Sequence, residues 1–278
     1  MKITPLKLFF IPLLLFAFSL AVLFHHHAKT GDFIPKDVDL KGGTLISIST
    51  TEPVDTDTLE RVLSKQVGHA LVTGLSTSSG YGADIEVESG VDPELVLKTV
   101  ESSGVEIKSY TIETIGPELG RMFFKQVMEL LFVAYLLMAI AVYLSYRSFY
   151  PSFGIVFASI GDVIGAIAFA TLAGVKISFA GFAALLMLIA YAVDTNVVLT
   201  TEVLRSKKDE FYSKYKKALI TGVTITMTIT VTMLITQFIS TSRLLVNIAQ
   251  ILSLGFINDL IYTWIFNAGI LEWRVMKK

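Results

Sequence analysis

The chain has 278 residues, 53% of them hydrophobic and 17% charged, with a mean hydropathy of +0.65 and a net charge of −1. A soluble domain is roughly 45–50% apolar and about 25% charged, so this balance excludes disorder, a fibrous repeat and most soluble enzymes, and it asks for several membrane spans plus one hydrated domain. The absence of cysteine excludes disulfides, thiolate metal sites and cysteine nucleophiles, and the near-neutral charge gives no reason to bind nucleic acid.

Taken in chain order, residues 6–24 form the first stretch long enough to cross a hydrocarbon core as a helix. The stretch exceeds a signal-peptide h-region and no small-x-small site precedes the histidines, so it reads as a retained anchor. His25, His26 and His27 follow at the outer membrane edge and read as a solvated interfacial run ending that helix, with a metal or pH-sensing role as the alternative. Residues 25–125 hold nine Lys/Arg and sixteen Asp/Glu, a net charge of −7 against +6 for the rest. An acidic polar domain is thus inserted into an apolar, basic frame.

Within that domain, 40–50 reads as a strand. Asp55-Thr56-Asp57 opens a helix whose first-turn acids suit the helix dipole. Residues 70–77 and 83–88 read as strands around a turn at Ser78-Ser79-Gly80. Asp92-Pro93-Glu94 starts a second helix that stops at Gly104, and 105–115 alternates again as a strand. The order β-α-β-β-α-β is that of the ferredoxin-like split unit, which identifies no function. No catalytic constellation is present there, and neither a metal site nor a cofactor is expected.

Five more apolar stretches follow, at 127–146, 151–173, 177–201, 218–239 and 244–269. The expected architecture is therefore a polytopic α-helical membrane protein: span 1–24, an extracytoplasmic ferredoxin-like α+β domain over 25–125, and a five-helix remainder over 126–278. The Lys/Arg bias sets the orientation. With both termini cytoplasmic, that side collects twelve basic residues, including Lys2, Arg147, the 202–217 loop and Lys278, while the outer turns hold only Lys176 and Arg243. The basic loop is read as a topology signal attracted to anionic membrane lipid.

Three carboxylates fall within spans: Asp162, Asp194 and Asp259. Each ionised Asp near a helix centre costs about 2.5–3.5 kcal/mol on the insertion scale. They must face protein interior or a wet cavity and spend time protonated, which makes them proton-relay candidates. Rise per residue puts the three at broadly similar depth, so a cluster is geometrically possible. Asn196, Asn247, Gln250 and Asn258 add neutral partners. Seven threonines thread the fifth span; their hydroxyls either bond backbone carbonyls or line a polar path. Gly161 and Gly165 form a GxxxG, and Gly154, Ala158, Asp162, Ala166 and Ala170 recur every four residues, a pattern for close helix approach.

Several segments resemble one family. Val38-Asp39-Leu40-Lys41-Gly42-Gly43-Thr44 resembles the Asp-x-x-Gly-Gly element of the SecD/SecF export proteins. Ile115-Gly116-Pro117-Glu118-Leu119-Gly120 resembles their Val-Gly-Pro-x-x-Gly lead into the second span, and the run from Tyr191 through Asp194 and Asn196 to Val198 resembles their fourth-span signature. The compact outer domain and the Asn258-Asp259…Asn267-Ala268-Gly269 ending look like the SecF half of the family in its archaeal form. Two residues depart from the pattern: Gly161 stands where the third span has a His before Asp162, and Glu202 stands where many members have Arg. The resemblance implies an auxiliary subunit without a catalytic site. Such a subunit pairs with SecD, contacts the SecY-containing translocon and uses the proton-motive force to assist unfolded exported polypeptide. It carries Asp194 over as the leading relay residue and Asp162 as a second, and it gives Gly42, Gly43, Gly116, Pro117 and Gly120 a structural role. The alternatives are a non-conducting scaffold of the translocon, an intramembrane aspartyl protease, and a small-molecule exporter of the related resistance-nodulation type. The protease reading lacks Gly-x-Gly-Asp and Pro-Ala-Leu, and the exporter reading lacks a second six-span half.

Overall fold

The structure is a computed structural model that describes residues 5–77, 80–240 and 242–277. The expected turn residues Ser78 and Ser79 lie outside the described residues, as do Lys2 and Lys278. The chain divides into two compact units. One comprises Met1–Pro35, Glu129–Gln237 and Leu244–Lys278; the other comprises Lys36–Met128 and Phe238–Arg243.

The second unit is an α/β layer pair. Its elements are α2 (Val38–Lys41), β1 (Gly43–Thr50), α3 (Thr56–Val67), β2 (Ala70–Thr77), β3 (Gly80–Val87), α4 (Pro93–Ser102) and β4 (Ile107–Ile115). All neighbouring strands run antiparallel in the order β2-β3-β1-β4. Local chemistry sets the boundaries. The Asp55 carboxylate accepts the Thr58 N–H at 3.1 Å and the Thr58 hydroxyl at 2.7 Å, capping α3. Those bonds hold the Asp55 carboxyl below its ordinary range. Asp92 accepts the Glu94 N–H at 3.0 Å, with Pro93 in the first turn of α4. Register then fixes the core. Ile46 stands opposite Ile85 on one side and Ile112 on the other. The faces of β1, β2 and β3 that carry Ile46, Ile48, Val72, Ala83 and Ile85 pack on Leu59 and Leu63 of α3 and Val96 and Val100 of α4. One expectation is corrected here: Leu40 and Lys41 are helical, not strand, because Asp37 caps a short turn by accepting the Val38 N–H at 2.8 Å.

The first unit is helical. It carries α1 (Phe10–Thr30), the greater part of α5 (Pro117–Tyr146), α6 (Phe149–Leu172), α7 (Phe179–Val203) and α8 (Phe211–Ile239). The final span runs as α9 (Arg243–Ile261), a π-helical stretch Tyr262–Asn267, and α10 (Ala268–Lys277). Among the described residues, six helices have the length and apolarity to cross a membrane. The first runs on to Thr30, so the three histidines lie within it; the left-handed Gly31 ends it. The most buried span is α6, which packs against α1, α7 and the π-helical stretch. The small-residue pattern is what allows this. A Cβ at Gly161 would stand 2.5 Å from Tyr262 Cε1, and one at Gly165 would run into the Asn258 carboxamide. Most of the α8 threonines take the backbone option: Thr221, Thr224, Thr228, Thr230, Thr232 and Thr236 each donate to the carbonyl four residues earlier.

Candidate functional site

The polar interior of the helical unit is assembled from side chains one turn apart on facing helices. On α7, Thr195, Asn196 and Thr200 fall on adjacent turns; on the last span, Asp259, Thr263 and Asn267 recur every four residues. The π-helical winding begins between Asp259 and Thr263 and ends at Asn267, the kind of insertion that often marks functional positions. The donors run in one direction. Asn267 Nδ2 donates to Asn196 Oδ1 at 2.7 Å, Asn196 Nδ2 donates to Thr263 Oγ1 at 2.7 Å, and the Thr263 hydroxyl donates to Asp259 Oδ1 at 2.7 Å. Thr195 adds bonds to both Asp259 oxygens at 3.0 and 3.2 Å. Buried Thr226, the α8 threonine that departs from the backbone pattern, lies in reach of the Asp259 carboxyl. A buried carboxyl is thus held by neutral hydroxyls at the end of an amide–hydroxyl chain.

The Asp162 carboxyl on α6 is handled differently. It is fully buried, and neither oxygen has a hydrogen-bond partner among the described residues. Asp259 lies in electrostatic reach of it, and it lies in electrostatic reach of Tyr135 and Tyr262. The departure at Gly161 is explained by Tyr262: the aromatic ring takes the space a side chain there would need.

The structure therefore brings Asp162, Asp259 and Asn196 together and leaves Asp194 apart. Asp194 lies on an exposed face of α7 with Tyr191 and Val198, so the three carboxylates do not form one cluster within this chain. Asn247 serves instead at the start of α7. Its Oδ1 accepts the Ser178 hydroxyl at 2.7 Å and its Nδ2 donates to the Lys176 carbonyl at 2.7 Å. Sequence reasoning had Thr226 only among the seven threonines of the fifth span and assigned no role to Thr195 or Thr263; the four-residue polar spacing from Asp259 through Thr263 to Asn267 was the signal available.

In the α/β unit the glycine motifs meet. Gly42 has φ +82°, and a Cβ there would stand 2.5 Å from Pro117 Cα; a Cβ at Gly120 would stand 2.6 Å from the Gly42 nitrogen. Gly43 is likewise left-handed at φ +141°, while Gly116 has open space around it. The Gly42-Gly43 turn and the Gly116-Pro117-x-x-Gly120 lead are therefore two sides of one backbone contact. Sequence reasoning also missed a charged centre in this unit. Arg243 Nη2 lies 2.6 Å from Asp37 Oδ2 and its Nε lies 3.0 Å from Asp84 Oδ2. The Ser47 hydroxyl donates to Asp84 Oδ1 at 2.6 Å. Burial pushes the Asp84 carboxyl above its ordinary range, against the opposing pull of Arg243.

Comparison with known proteins gives this architecture its relatives. Residues 95–277 match the family described as protein export membrane protein SecD/SecF, C-terminal. The chain is 31% identical over 278 residues to the protein-export membrane protein SecF of Pyrococcus furiosus, covering 100% of this chain and 93% of that one. It is 36% identical over 251 residues to the SecF of Methanocaldococcus jannaschii, covering 87% and 88% respectively. The crystal structure of SecDF, a translocon-associated membrane protein from Thermus thermophilus, matches with a TM-score of 0.76 at 20% identity, over 96% of this chain and 37% of that one. The chain thus spans little more than a third of that longer protein, and the likeness is one of fold.

Proposed function

The chain belongs to the SecD/SecF family of protein-export membrane proteins, and we propose that it works as a SecF-type subunit that assists export with a SecD-like partner and is driven by the proton-motive force. Its general role in protein export as a multi-pass membrane protein follows from the family. The observation that carries the finer reading is the placement of the carboxyls. Asp162 and Asp259 are buried without a basic partner among the described residues, and Asp194 is exposed on an apolar helix. An ionised Asp facing hydrocarbon costs about 2.5–3.5 kcal/mol; a polar partner surface over that face of α7 removes the cost. We therefore assign that face to the SecD-like partner and Asp194 to proton exchange there, with Asp162, Asp259 and Asn196 as the relay inside this chain.

In this reading the α/β unit lies outside the membrane, both termini are cytoplasmic, and the unit meets exported polypeptide near the SecY-containing translocon. Its strand order and helix placement support a ferredoxin-like description. The test is co-purification with a SecD-like partner, followed by export in vesicles with and without a proton gradient. Asp194→Asn should retain the partner and lose the gradient-dependent component of export; full gradient-dependent export in that variant refutes the relay. A scaffold reading has its own support, since Asp259 accepts a bond between helices from Thr195 of α7. It requires export assistance to be insensitive to an uncoupler.

A further inference from the structure

Tyr262 is a buried phenol whose hydroxyl has no hydrogen-bond partner among the described residues, and the Asp162 carboxyl is in the same condition. The two belong to neighbouring surfaces. The Tyr262 ring occupies the space left by Gly161, the residue before Asp162, with Cζ, the carbon that bears the hydroxyl, 2.6 Å from where a Cβ at 161 would stand. The Asp162 carboxyl acts electrostatically on that phenol. Of the other titratable groups in electrostatic reach of Asp162, Tyr135 of α5 donates to the Ser159 carbonyl at 2.9 Å and Asp259 is bonded by Thr195 and Thr263, while the buried Ser159 hydroxyl, three residues before Asp162 on α6, is itself unpartnered among the described residues. Tyr262 also opens the π-helical stretch of the last span, a winding that is frequent at functional positions. Buried polar groups left unpaired cost free energy that pairing recovers.

We infer that Tyr262 is a positioning residue for Asp162: its phenol O–H donates a hydrogen bond to the Asp162 carboxyl in a second conformation of the α6–last-span contact and so fixes where that carboxyl holds its proton. The pairing itself stands on the geometry above; its consequence for export rests on the proton-coupled reading. Two readouts keep the claims separate. The first is infrared spectroscopy of the purified full-length protein in lipid nanodiscs across a pH series, with the Asp162 bands identified by their loss in Asp162→Asn. Tyr262→Phe keeps the ring that fills the Gly161 space and removes only the hydroxyl. The expected result is a shift of the Asp162 bands in Tyr262→Phe and a displaced pH dependence of their intensity. Bands unchanged in frequency and pH dependence overturn the inference. The second readout is gradient-dependent export with the partner present, where Tyr262→Phe should lower the gradient-dependent component several-fold and displace its pH profile. If the bands shift while export ignores both Asp162→Asn and an uncoupler, the pairing stands and the proton-coupled reading falls.

Discussion

The two units treat buried charge in opposite ways. In the α/β unit the buried carboxylates of Asp37 and Asp84 share one guanidinium, Arg243, at 2.6 and 3.0 Å, and Ser47 completes the set. In the helical unit Asp259 is held by neutral hydroxyls and Asp162 by nothing among the described residues. A carboxylate locked to a guanidinium cannot take up a proton without breaking an ion pair, so such a centre fixes structure. A carboxyl held by hydroxyls keeps its neighbours whether or not it carries a proton. The contrast teaches that counting acids says little; the charge of the partner decides whether a buried acid is a strut or an exchangeable site.

The strongest way to break this comparison is Arg243→Ala. It leaves two buried carboxylates uncompensated and should cost about 3 kcal/mol, the lower end of the range for breaking a buried pair because Arg243 is partly solvated. Hydrogen exchange of the β1 and β3 amides would read it, and adding Asp84→Asn should restore part of the lost protection. Unchanged exchange would mean that the ion pairs are ornamental. Next in size is Gly42→Ala, expected to cost about 1–3 kcal/mol because the left-handed backbone and the Pro117 approach both oppose a side chain. Thermal unfolding of the full chain in detergent measures it.

A smaller effect separates the units by pH. The folded Asp84 carboxyl titrates above the ordinary value of about 4 because burial outweighs Arg243 and Ser47. In the window from that ordinary value up to the raised one, the folded state binds more protons than the unfolded state, so stability falls as pH rises through it. The exchange of β3 amides should follow that slope, and Asp84→Asn should flatten it; a slope of opposite sign would reverse the assignment. The smallest effect sharpens the helical side. Thr224→Val loses only a bond to the Ile220 carbonyl of its own helix and should change stability by no more than about 0.5 kcal/mol. Thr195→Val removes a bond between helices and should cost more, on the order of 1 kcal/mol. Equal effects in a reversible unfolding assay would undo the distinction between backbone-bonded and carboxyl-bonded hydroxyls.

Much of the fold was legible because its signals are local. Span length, the caps at Asp55 and Asp92, and the strand alternation at 70–77 each arise within a few residues, and the structure places α3, α4 and β2 there. The strand at 40–50 was misread at its start because Asp37 acts on the backbone just after it, a cap that competes with strand propensity. The site was legible by residue type but not by grouping. Depth along a helix can be counted from the sequence, yet the direction around the helix axis that packs inward depends on neighbours. Asp194 and Asn196 are two residues apart on α7, and only Asn196 is buried.

The sequence alone determined the number of spans, the insertion of one acidic α/β domain, the small-residue stripe on α6 and the family resemblance, since all of these follow from hydropathy, charge and spacing along one dimension. Tertiary structure alone decided that Asp162 and Asp259 share an interior that Asp194 does not enter, that Tyr262 fills the space beside Gly161, and that Arg243 closes on Asp37 and Asp84 across 206 and 159 residues of chain. The physical reason is that desolvation and hydrogen-bond satisfaction depend on which surfaces meet, and no pattern confined to one segment specifies its partner.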